Sequence, residues 1–294
     1  MAEITHLRSI QISSPDLPGL VRFYEQTWGL QRVAEDASGT VYLRASGPEH
    51  HVIALTPGAG RSLQLISLGA QSPADVDRLA ARLREHGTAI VAGPGPRDEP
   101  GGGYAVRFAD PEGRLIEVSA GVLEHEPTGT DGPERLSHLV LNSPGLPLAK
   151  AFYTDALGFR VSDWYENDLM VFLRCNPQHH CVVLTPNDFP TINHVAFEVG
   201  NVDAVMRALG RMRAAGYESI WGPGRHGPGG NVFCYFTDPV GNVIEYTAEL
   251  VDVNEDTWEA RSWERSARNA DVWGTSGGIT PAVAAAMRNP PESG

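Results

Sequence analysis

The chain has few cysteines and no long apolar run. Only Cys175, Cys181 and Cys234 occur among its 294 residues, and no two of them form a CxxC pair. An odd number of cysteines without a secretion signal predicts free, buried thiols in a reducing compartment. No apolar stretch comes near the ~18 residues that a membrane span requires, and the opening MAEITHLRSI lacks the regions of a signal peptide. We therefore expect a cytoplasmic protein without a membrane partner.

Positive charge is scarce as well. Lys and Arg number 23 against 36 Asp and Glu, which gives a net charge of −13. Proteins that bind nucleic acids or anionic lipids need a basic surface, so this balance argues against both partners. The 294 residues, 41% of them apolar, instead allow two ordinary domains, each with its own core.

The two halves of the chain repeat each other. The segment GPEHHVIALTP at 47–57 returns as NPQHHCVVLTP at 176–186, and FADPEGRLIEVSA at 108–120 returns as FTDPVGNVIEYTA at 236–248. Repeats this long indicate two homologous domains. An acidic segment with Gly and Pro between the copies has the composition of a linker. The predicted layout is a first domain at 1–122, a linker at 123–134, a second domain at 135–250 and a tail at 251–294.

Within each half, the predicted order of one strand, one helix and several strands occurs twice. Short β-branched or aromatic runs bounded by turn residues, such as NHVAFEV at 193–199, indicate strands. Segments with apolar residues at helical spacing and a final glycine, such as VDAVMRALGRMRAAG at 202–216, indicate helices. The order predicts four βαβββ modules, two per half, and therefore an α+β fold in which each half folds two small sheets around a shared cleft.

Three residues of the second half are candidate metal ligands: His138, His194 and Glu245. Each lies within a predicted strand among apolar neighbours, where an imidazole or a carboxylate is costly unless it is satisfied. Alternation along the strand places His194 on the face opposite to Val195. Two histidines and one carboxylate from separate strands form a facial triad that suits non-haem Fe(II), with Mn(II) as an alternative. Taken singly, a residue of this kind is more often a hydrogen-bonded, half-buried side chain than a metal ligand.

The segment that contains Glu245 resembles a known signature. GRHGPGGNVFCYFTDPVGNVIEY at 224–246 is similar to the signature of type I extradiol ring-cleaving dioxygenases, in the vicinal oxygen chelate superfamily. Cys234 departs from it, because the family prefers an aliphatic residue or Phe there. The matching positions are His226, Tyr235, Asp238, Pro239, Gly241 and Glu245.

The resemblance covers both halves and implies a fold, a cofactor and a reaction. The implied fold is the paired vicinal oxygen chelate or glyoxalase–dioxygenase-like fold. The implied cofactor is Fe(II), or alternatively Mn(II), with O₂ as co-substrate in cleaving a catechol-type aromatic diol beside its two hydroxyls. The resemblance places His138 and His194 beside Glu245 as metal ligands. We also expect a homo-oligomer, from a dimer to a tetramer or larger.

The same resemblance assigns roles around the metal. His180 precedes His194 by 14 residues, as the acid–base histidine does in this family. His179 and His180 are expected to face opposite sides of a strand, so only His180 enters the cleft and His179 is exposed or structural. His226 and Tyr235 are implied to hydrogen-bond the substrate oxygens or the developing intermediate.

The first half is expected to lack this site. When the halves are aligned on the DP-x-G turn and the LTP motif, His194 falls opposite Gln64, a poor ligand for a redox iron. We therefore interpret the His50–His51 doublet as scaffold and expect one site per chain. The other predicted correspondences are Glu117 for Glu245, His6 for His138, Arg107 for Tyr235, and Arg97 or Asp98 for His226.

The surroundings of the site favour an apolar substrate. Trp221 stands five residues before His226, where the homoprotocatechuate branch of the family usually has an arginine for a substrate carboxylate. This replacement favours a neutral catechol with an aromatic or alkyl substituent. Phe172, Phe189 and Phe233 are further candidates for the pocket wall.

The tail has three tryptophans, Trp258, Trp263 and Trp273, in a polar segment without a counterpart in the first half. Aromatic anchors of this kind are typical of interfaces. We therefore expect the tail to pack near the mouth of the cleft or across a subunit contact.

Two other functions remain open, because one fold hosts many activities. A glyoxalase-type metal-dependent isomerase or lyase is the first. It would need a base carboxylate among its ligands, and His180, His226 and Tyr235 would have no evident role. A non-enzymatic small-molecule-binding protein is the second, and it would not need a metal that is accessible to oxygen.

Overall fold

The first half contains two modules of the predicted βαβββ type in the computed structural model, which describes residues 3–129 and 131–291. The first module consists of β1 (Ile4–Ser14), α1 (Leu17–Phe23) with a following π-helical turn (Tyr24–Trp28), β2 (Gln31–Glu35), β3 (Val41–Arg44) and β4 (Ile53–Pro57). The second module consists of β5 (Ser62–Ala70), α2 (Pro73–Glu85), β6 (Ile90–Pro96), β7 (Tyr104–Ala109) and β8 (Leu115–Ala120).

The second half repeats this order and adds the tail. Its third module consists of β9 (Arg135–Ser143), α3 (Leu146–Ala151) with a π-helical turn (Phe152–Ala156), β10 (Arg160–Tyr165), a 3₁₀ turn (Glu166–Asp168), β11 (Met170–Arg174) and β12 (Val182–Pro186). The fourth module consists of β13 (Ile192–Glu198), α4 (Val202–Ala214), β14 (Trp221–Arg225), β15 (Val232–Thr237) and β16 (Val243–Ala248). The tail consists of β17 (Arg261–Trp263), α5 (Ala267–Ala270) and α6 (Pro281–Arg288). The predicted α+β fold of four βαβββ modules is confirmed.

Local sequence explains where the two long helices begin and which face they bury. The side chain of Ser72 accepts a hydrogen bond from the backbone N–H of Asp75 at the start of α2. Asn201 caps α4 in the same way through the N–H of Ala204. These caps satisfy backbone groups that a helix start leaves without partners. Apolar residues at helical spacing form the buried faces: Val76, Leu79 and Leu83 on α2, and Val205, Leu209 and Met212 on α4.

Each pair of modules joins into one mixed sheet, so the prediction of two small sheets per half is wrong. The strand order is β2-β3-β4-β1-β5-β8-β7-β6 in the first half and β14-β15-β16-β13-β9-β12-β11-β10-β17 in the second. In the second sheet, β9 and β13 are antiparallel neighbours, and β13 and β16 are parallel neighbours. This order brings β16, β13 and β9, which carry the three candidate ligands, side by side.

The two halves share an apolar core. Trp28, at the end of the π-helical turn in the first half, packs edge-on against Phe197 and Phe236 of the second half. The hydroxyl of Tyr24 donates a hydrogen bond to Oδ2 of Asp238 at 3.2 Å. Residues of the first half therefore pack against the second sheet and help to stabilise it.

The tail folds back over the second sheet. The strand β17 lies parallel to β10, and α6 packs against β13. The indole N–H of Trp258 donates to the carbonyl oxygen of Ser162 at 2.9 Å, and the side-chain amide of Asn142 donates to the carbonyl oxygen of Met287 at 2.9 Å. Trp273 is not such an anchor, because 44% of its surface is exposed. No helix within 3–129 and 131–291 is long and apolar enough to cross a membrane.

The three cysteines are free thiols that differ in burial. Cys181 and Cys234 are buried, whereas Cys175 is only partly buried. The sulfur atoms of Cys175 and Cys181 lie 3.2 Å apart as a hydrogen-bonded pair. The prediction of free thiols is confirmed, and the prediction that all are buried is wrong for Cys175.

Candidate metal centre

Three neighbouring strands present the candidate ligands to one point. On β13, Ala196 is the register partner of Glu245 on β16 and of His138 on β9. His194 lies two residues before Ala196 on the same strand and therefore points to the same face. Val195, between them, is buried in the apolar core. The small side chain of Ala196 leaves the space between the three ligands open.

We term His138, His194 and Glu245 the metal triad, because their ligand atoms all lie within 4.8 Å of one another. Oε2 of Glu245 is 3.3 Å from Nε2 of His138 and 3.4 Å from Nε2 of His194. Oε2 of Glu245 and Nε2 of His194 are buried without a hydrogen-bond partner. Such atoms are costly unless something satisfies them, and Fe(II) or Mn(II) accepts two imidazoles and a carboxylate as ligands. The triad therefore fits the ion that the resemblance implies.

Neighbouring side chains orient the two histidines. Oδ1 of Asn193 accepts a hydrogen bond from Nδ1 of His194 at 2.8 Å, which leaves Nε2 unprotonated and free to bind an ion. The hydroxyl oxygen of Ser137 lies 3.1 Å from Nδ1 of His138. Both imidazoles therefore have their Nδ1 atoms engaged and their Nε2 atoms directed at the carboxylate.

Electrostatics within the triad favour an ionised carboxylate. Burial by itself raises the pKa of Glu245, but His138 and His194 together hold that pKa below its usual range. Burial lowers the pKa of His194, although Glu245 partly opposes the shift. An anionic carboxylate beside neutral imidazoles is the protonation state in which these side chains bind a divalent ion.

A cavity of about 410 Å³ opens beside the triad. Its wall includes His138 and His194 together with His180, His226 and Tyr235. The structure therefore brings the predicted ligands and the predicted substrate-binding residues to one place. Other wall residues are Val140, Tyr165, Phe172, Val183, Trp221 and Met287.

His226 and Tyr235 form a hydrogen-bonded pair in the wall. The carbonyl oxygen of Ala270 accepts a hydrogen bond from Nδ1 of His226 at 2.8 Å, so Nε2 accepts one from the hydroxyl of Tyr235 at 3.1 Å. Burial lowers the pKa of His226 to about 4. Burial, and then the charge of Glu245, raise the pKa of Tyr235 well above its usual value. Both side chains are therefore neutral near pH 7 and can exchange hydrogen bonds with the oxygen atoms of a ligand.

The neighbours His179 and His180 point to different places. His180 lines the cavity, its ring lies 4.5 Å from that of His138, and burial lowers its pKa well below its usual range. His179 is not exposed, because it is buried and contacts Asp163. Both histidines precede β12, which begins at Val182, so the predicted alternation of strand positions is wrong for them. The chain segment before the strand, and not the strand itself, separates the two side chains.

Two of the four predicted pocket residues line the cavity, namely Phe172 and Trp221. The prediction for Phe189 is wrong, because it lies in the turn between β12 and β13 with 37% of its surface exposed. The prediction for Phe233 is wrong as well. Its ring is buried behind Trp221 and His226, at centroid distances of 4.3 and 4.0 Å. Phe233 therefore supports the wall but does not form it.

The first half lacks both imidazole ligands. On β5, Ser67 is the register partner of Glu117 and of Ser9, the arrangement that Ala196 has in the second half. Strand register agrees with ungapped counting from the shared LTP motif, which places Ser9 opposite His138 and Leu65 opposite His194. The alignment is therefore wrong at two positions: the counterpart of His138 is Ser9 and not His6, and the counterpart of His194 is Leu65 and not Gln64.

Two arginines occupy the place of an ion in the first half. Arg97 Nε is 3.2 Å from Oε1 of Glu117, and a terminal nitrogen of Arg107 is 2.8 Å from Oε2. By strand register, Arg97 stands at the position of His226, and Arg107 stands at that of Tyr235. Guanidinium groups that already neutralise a buried carboxylate leave it no need of a cation. Within the described part of the chain, the metal triad is the one cluster of this kind.

Sequence reasoning missed three polar residues around the site: Asn193, Asn231 and Asp163. Asn231 is fully buried and donates a hydrogen bond to Oε1 of Glu245 at 3.3 Å. Asp163 is also fully buried, on β10, where the first half has Ala34. For Asp163, the signal available in the sequence was a polar residue that only the second copy contains.

The fold and the site define a class, that of paired βαβββ proteins with a mononuclear metal centre in the second half. The chain belongs to the Glyoxalase/Bleomycin resistance protein/Dioxygenase superfamily, whose family model matches residues 4–118 and 135–246. The family that the sequence resemblance predicted is therefore confirmed.

Similar proteins carry the names of two activities. Metapyrocatechase 2 from Cupriavidus necator is 34% identical over 60% of this chain and 61% of its own length. The manganese-dependent 2,3-dihydroxybiphenyl 1,2-dioxygenase from Geobacillus genomosp. 3 is 27% identical over 92% of this chain and 94% of its own length. A solved structure, the Mn(II)-bound glyoxalase from Novosphingobium aromaticivorans, is 38% identical with a TM-score of 0.91, and the match covers 96% of this chain and 94% of that one. The chain thus spans about three fifths of the metapyrocatechase and nearly all of the other two.

Proposed function

We propose that this protein is an extradiol dioxygenase, an oxidoreductase that uses O₂ to cleave a catechol-type ring beside its two hydroxyls during the degradation of aromatic compounds. One observation carries the proposal. The buried metal triad adjoins a cavity that also contains His180 and the hydrogen-bonded pair of His226 and Tyr235. The names of the two dioxygenase relatives support the same reaction.

The metal triad would hold one Fe(II) ion, with Mn(II) as the alternative. That ion supplies a positive charge that favours an ionised diol, together with redox chemistry toward O₂. Two imidazoles and one carboxylate leave part of a six-coordinate shell free for substrate. Manganese in the names of two relatives supports the alternative ion.

Three residues of the chain would move protons and orient the diol. His180, a neutral imidazole in the cavity wall, accepts the proton of one diol hydroxyl as general base and can return it as acid. Tyr235 donates a hydrogen bond to a substrate oxygen. His226 keeps Nδ1 on the carbonyl oxygen of Ala270, so its Nε2 is the atom that accepts from Tyr235 or from the substrate.

The cavity walls support a neutral, apolar substituent on the diol. Phe172, Val183 and Trp221 contribute apolar surface to the wall. Arg265 and Arg288 also line the cavity, but both are exposed on the side of the tail. An alkyl- or aryl-substituted catechol therefore fits this site better than a carboxylated one.

The remaining proposals concern the whole molecule. The second domain at 135–250 carries catalysis, the first domain at 1–122 supports it, and the tail at 251–294 closes the cavity. The family resemblance supports a homo-oligomer, from a dimer to a tetramer or larger, which light scattering on the purified chain would measure. Free thiols and a low cysteine content support a cytoplasmic location.

A glyoxalase-type isomerase is the second candidate, because the 38% identical structure bears that name. Moving a proton between carbon atoms in that reaction would call for a base carboxylate at the metal. Among the described residues that line the cavity, none is an aspartate or a glutamate. The carboxylate of Glu245 belongs to the metal triad and would be held by the ion. The cavity chemistry therefore favours the dioxygenase.

One assay separates these functions. The purified chain is loaded anaerobically with Fe(II) or with Mn(II) and is then given O₂ with catechol, 3-methylcatechol, 2,3-dihydroxybiphenyl or a carboxylated catechol. Oxygen uptake and the yellow ring-cleavage product are recorded together. We expect one O₂ consumed per diol and faster turnover of the neutral, substituted diols. Isomerisation of a glutathione hemithioacetal without diol turnover would establish the glyoxalase instead, and diol binding without either reaction would indicate a binding protein.

A further inference from the structure

Three buried side chains connect the tail to the cavity. Oδ2 of Asp163 lies 3.1 Å from Nε2 of His179, and Nδ1 of His179 lies 2.9 Å from Nδ1 of His180. Their exposed fractions are 0%, 0% and 3%, so water does not compete for these contacts. His180 is the member that lines the cavity. We term Asp163, His179 and His180 the Asp–His–His chain.

For two neutral imidazoles, this geometry permits one arrangement of protons. A carboxylate only accepts hydrogen bonds, so Nε2 of His179 carries a proton and donates it to Asp163. Nδ1 of His179 is then an acceptor, and Nδ1 of His180 must donate to it. Nε2 of His180 is left without a proton, and no side chain of residues 3–129 or 131–291 hydrogen-bonds to it.

Residues of the tail donate hydrogen bonds to Asp163, the carboxylate of the Asp–His–His chain. The indole N–H of Trp263 donates to Oδ2 of Asp163 at 2.7 Å, and the backbone N–H of Arg261 donates to Oδ1 at 2.9 Å. Both donors belong to β17, which pairs with β10. The ring of Trp258 packs edge-on against His179 at 5.4 Å. Three donors therefore converge on Asp163, a pattern that an acceptor-only carboxylate satisfies.

The first half offers an internal comparison. His50 and His51 repeat the doublet, with their Nδ1 atoms 3.0 Å apart. Ala34 stands where the second half has Asp163, and the tail strand pairs with the second sheet only. The doublet therefore occurs without the carboxylate in the half that lacks the imidazole ligands, and with the carboxylate in the half that has them.

We infer that Asp163 and His179 are positioning residues that fix His180 as the Nδ1–H tautomer and so present an unprotonated Nε2 to the cavity. The use of this nitrogen as a base rests on the proposed function, whereas the tautomer itself does not. An unprotonated Nε2 accepts a proton from a diol hydroxyl at once. The opposite tautomer would present an N–H donor there, and the imidazole would have to exchange its proton before it could act.

The tautomer can be measured directly. The full-length chain, labelled with ¹⁵N-histidine and loaded with diamagnetic Zn(II), is studied by long-range ¹H–¹⁵N correlation NMR, with His180→Phe to assign the signals. We expect a protonated Nδ1 and a bare Nε2 for His180, and the reverse for His179. Asp163→Ala introduces the residue that the first half has, and His179→Phe, which keeps an aromatic ring, serves where that variant does not fold. In either variant, His180 should show a mixture of tautomers.

Kinetics provide the second measurement. Losing the outer hydrogen-bond partner of a functional histidine typically costs about 10- to 100-fold, so kcat should fall by that factor in Asp163→Ala and in His179→Phe. KM for the diol and the bound metal should not change. Because Asp163 and His179 both act on His180 through the same row of hydrogen bonds, kcat of the double variant should fall no further than kcat of either single variant. His50→Phe, the matched change in the first half, should leave kcat and both tautomers as they are.

The outcomes distinguish this inference from the proposed function. A proton on Nε2 of His180 in the wild type would overturn the inference. Unchanged kcat and tautomers in Asp163→Ala would do the same, and so would a decrease of kcat in the double variant that equals the product of the two single decreases. The expected tautomers without any diol turnover would contradict the proposed function alone. Diol turnover by a protein whose His180 carries its proton on Nε2 would contradict the inference alone.

Discussion

Trp28 of the first half stacks face to face on Tyr246 of the second half, with ring centroids 3.6 Å apart and an interplanar angle of 15°. The hydroxyl of Tyr246 donates a hydrogen bond to the carbonyl oxygen of Trp28 at 2.7 Å. Tyr246 directly follows Glu245 on β16 and points to the opposite face of the sheet. The first half therefore buttresses the strand that carries the metal carboxylate.

We predict that Trp28→Ala weakens both the fold and the metal centre. Replacing a buried tryptophan by alanine typically costs about 3–5 kcal/mol of unfolding free energy, and the cavity left behind frees the strand of Glu245. Urea denaturation and metal content at a fixed free-ion concentration measure the two effects. Trp273→Ala is the control, because that side chain is 44% exposed. Unchanged stability and metal content in Trp28→Ala would contradict the buttressing role.

Removing a ligand should remove the ion and the activity together. We expect one tightly bound ion per wild-type chain and none in His194→Ala or Glu245→Ala, because the remaining two side chains offer too few donors. His6→Ala is the matched control. His6 pairs with Glu49 in the first half and is not the counterpart of a ligand. Two tightly held ions per chain, or wild-type activity in His194→Ala, would refute the assignment.

Replacing His180 should separate turnover from metal binding. His180 contacts the metal triad but is not a member of it, so His180→Phe should retain the ion. A lost acid–base residue typically costs about 10²–10⁴-fold in rate, and kcat should fall by that factor. His51→Phe changes the equivalent position of the first half and should have no such effect. Steady-state kinetics and metal analysis on the same samples test this, and simultaneous loss of the ion would count against the role.

The tail should influence which diol is preferred. Met287 on α6 is 8% exposed and lines the cavity. Met287→Ala removes apolar contact worth about 1–2 kcal/mol, or one to two methylene groups, so KM for a bulky substituted catechol should rise about 5- to 30-fold. KM for unsubstituted catechol should change less. Met206→Ala, at an exposed position on α4, is the control. Equal changes for both substrates would show that Met287 does not contact the substituent.

The burial of His226 should make the free energy of unfolding decrease at acidic pH. Burial lowers the pKa of His226 from 6.5 to about 4. Between these values the unfolded chain binds a proton on this imidazole and the native chain does not, so the free energy of unfolding decreases as the pH falls through this window. His226→Phe should show a shallower dependence in urea denaturation across the window, whereas the exposed His86→Phe should not. Equal slopes in wild type and His226→Phe would contradict this prediction.

The candidate metal ligands were predictable from the sequence because their signal is local. The segment at 224–246 contains His226, Tyr235 and Glu245 at fixed spacing, and strand alternation places His194 opposite to the buried Val195. The alignment of the halves failed at His6 and Gln64 because it did not keep the spacing from the shared LTP motif, which places Ser9 and Leu65 opposite the two histidine ligands. Phe189 was misassigned because a turn, and not a strand, positions it.

Repetition, helix spacing and strand alternation predicted the four modules, and the signature at 224–246 indicated the family and, with it, the metal triad. Only the tertiary structure showed which distant residues contact one another around the metal triad. Asp163 meets Trp263 100 residues later, and Asn142 meets Met287 145 residues later. Contacts over such separations depend on strand register and on where the tail packs. Neither feature produces a periodic pattern of residues that could be recognised in the sequence. The buttress of Trp28, the arginines at Glu117 and the Asp–His–His chain arise from this long-range packing.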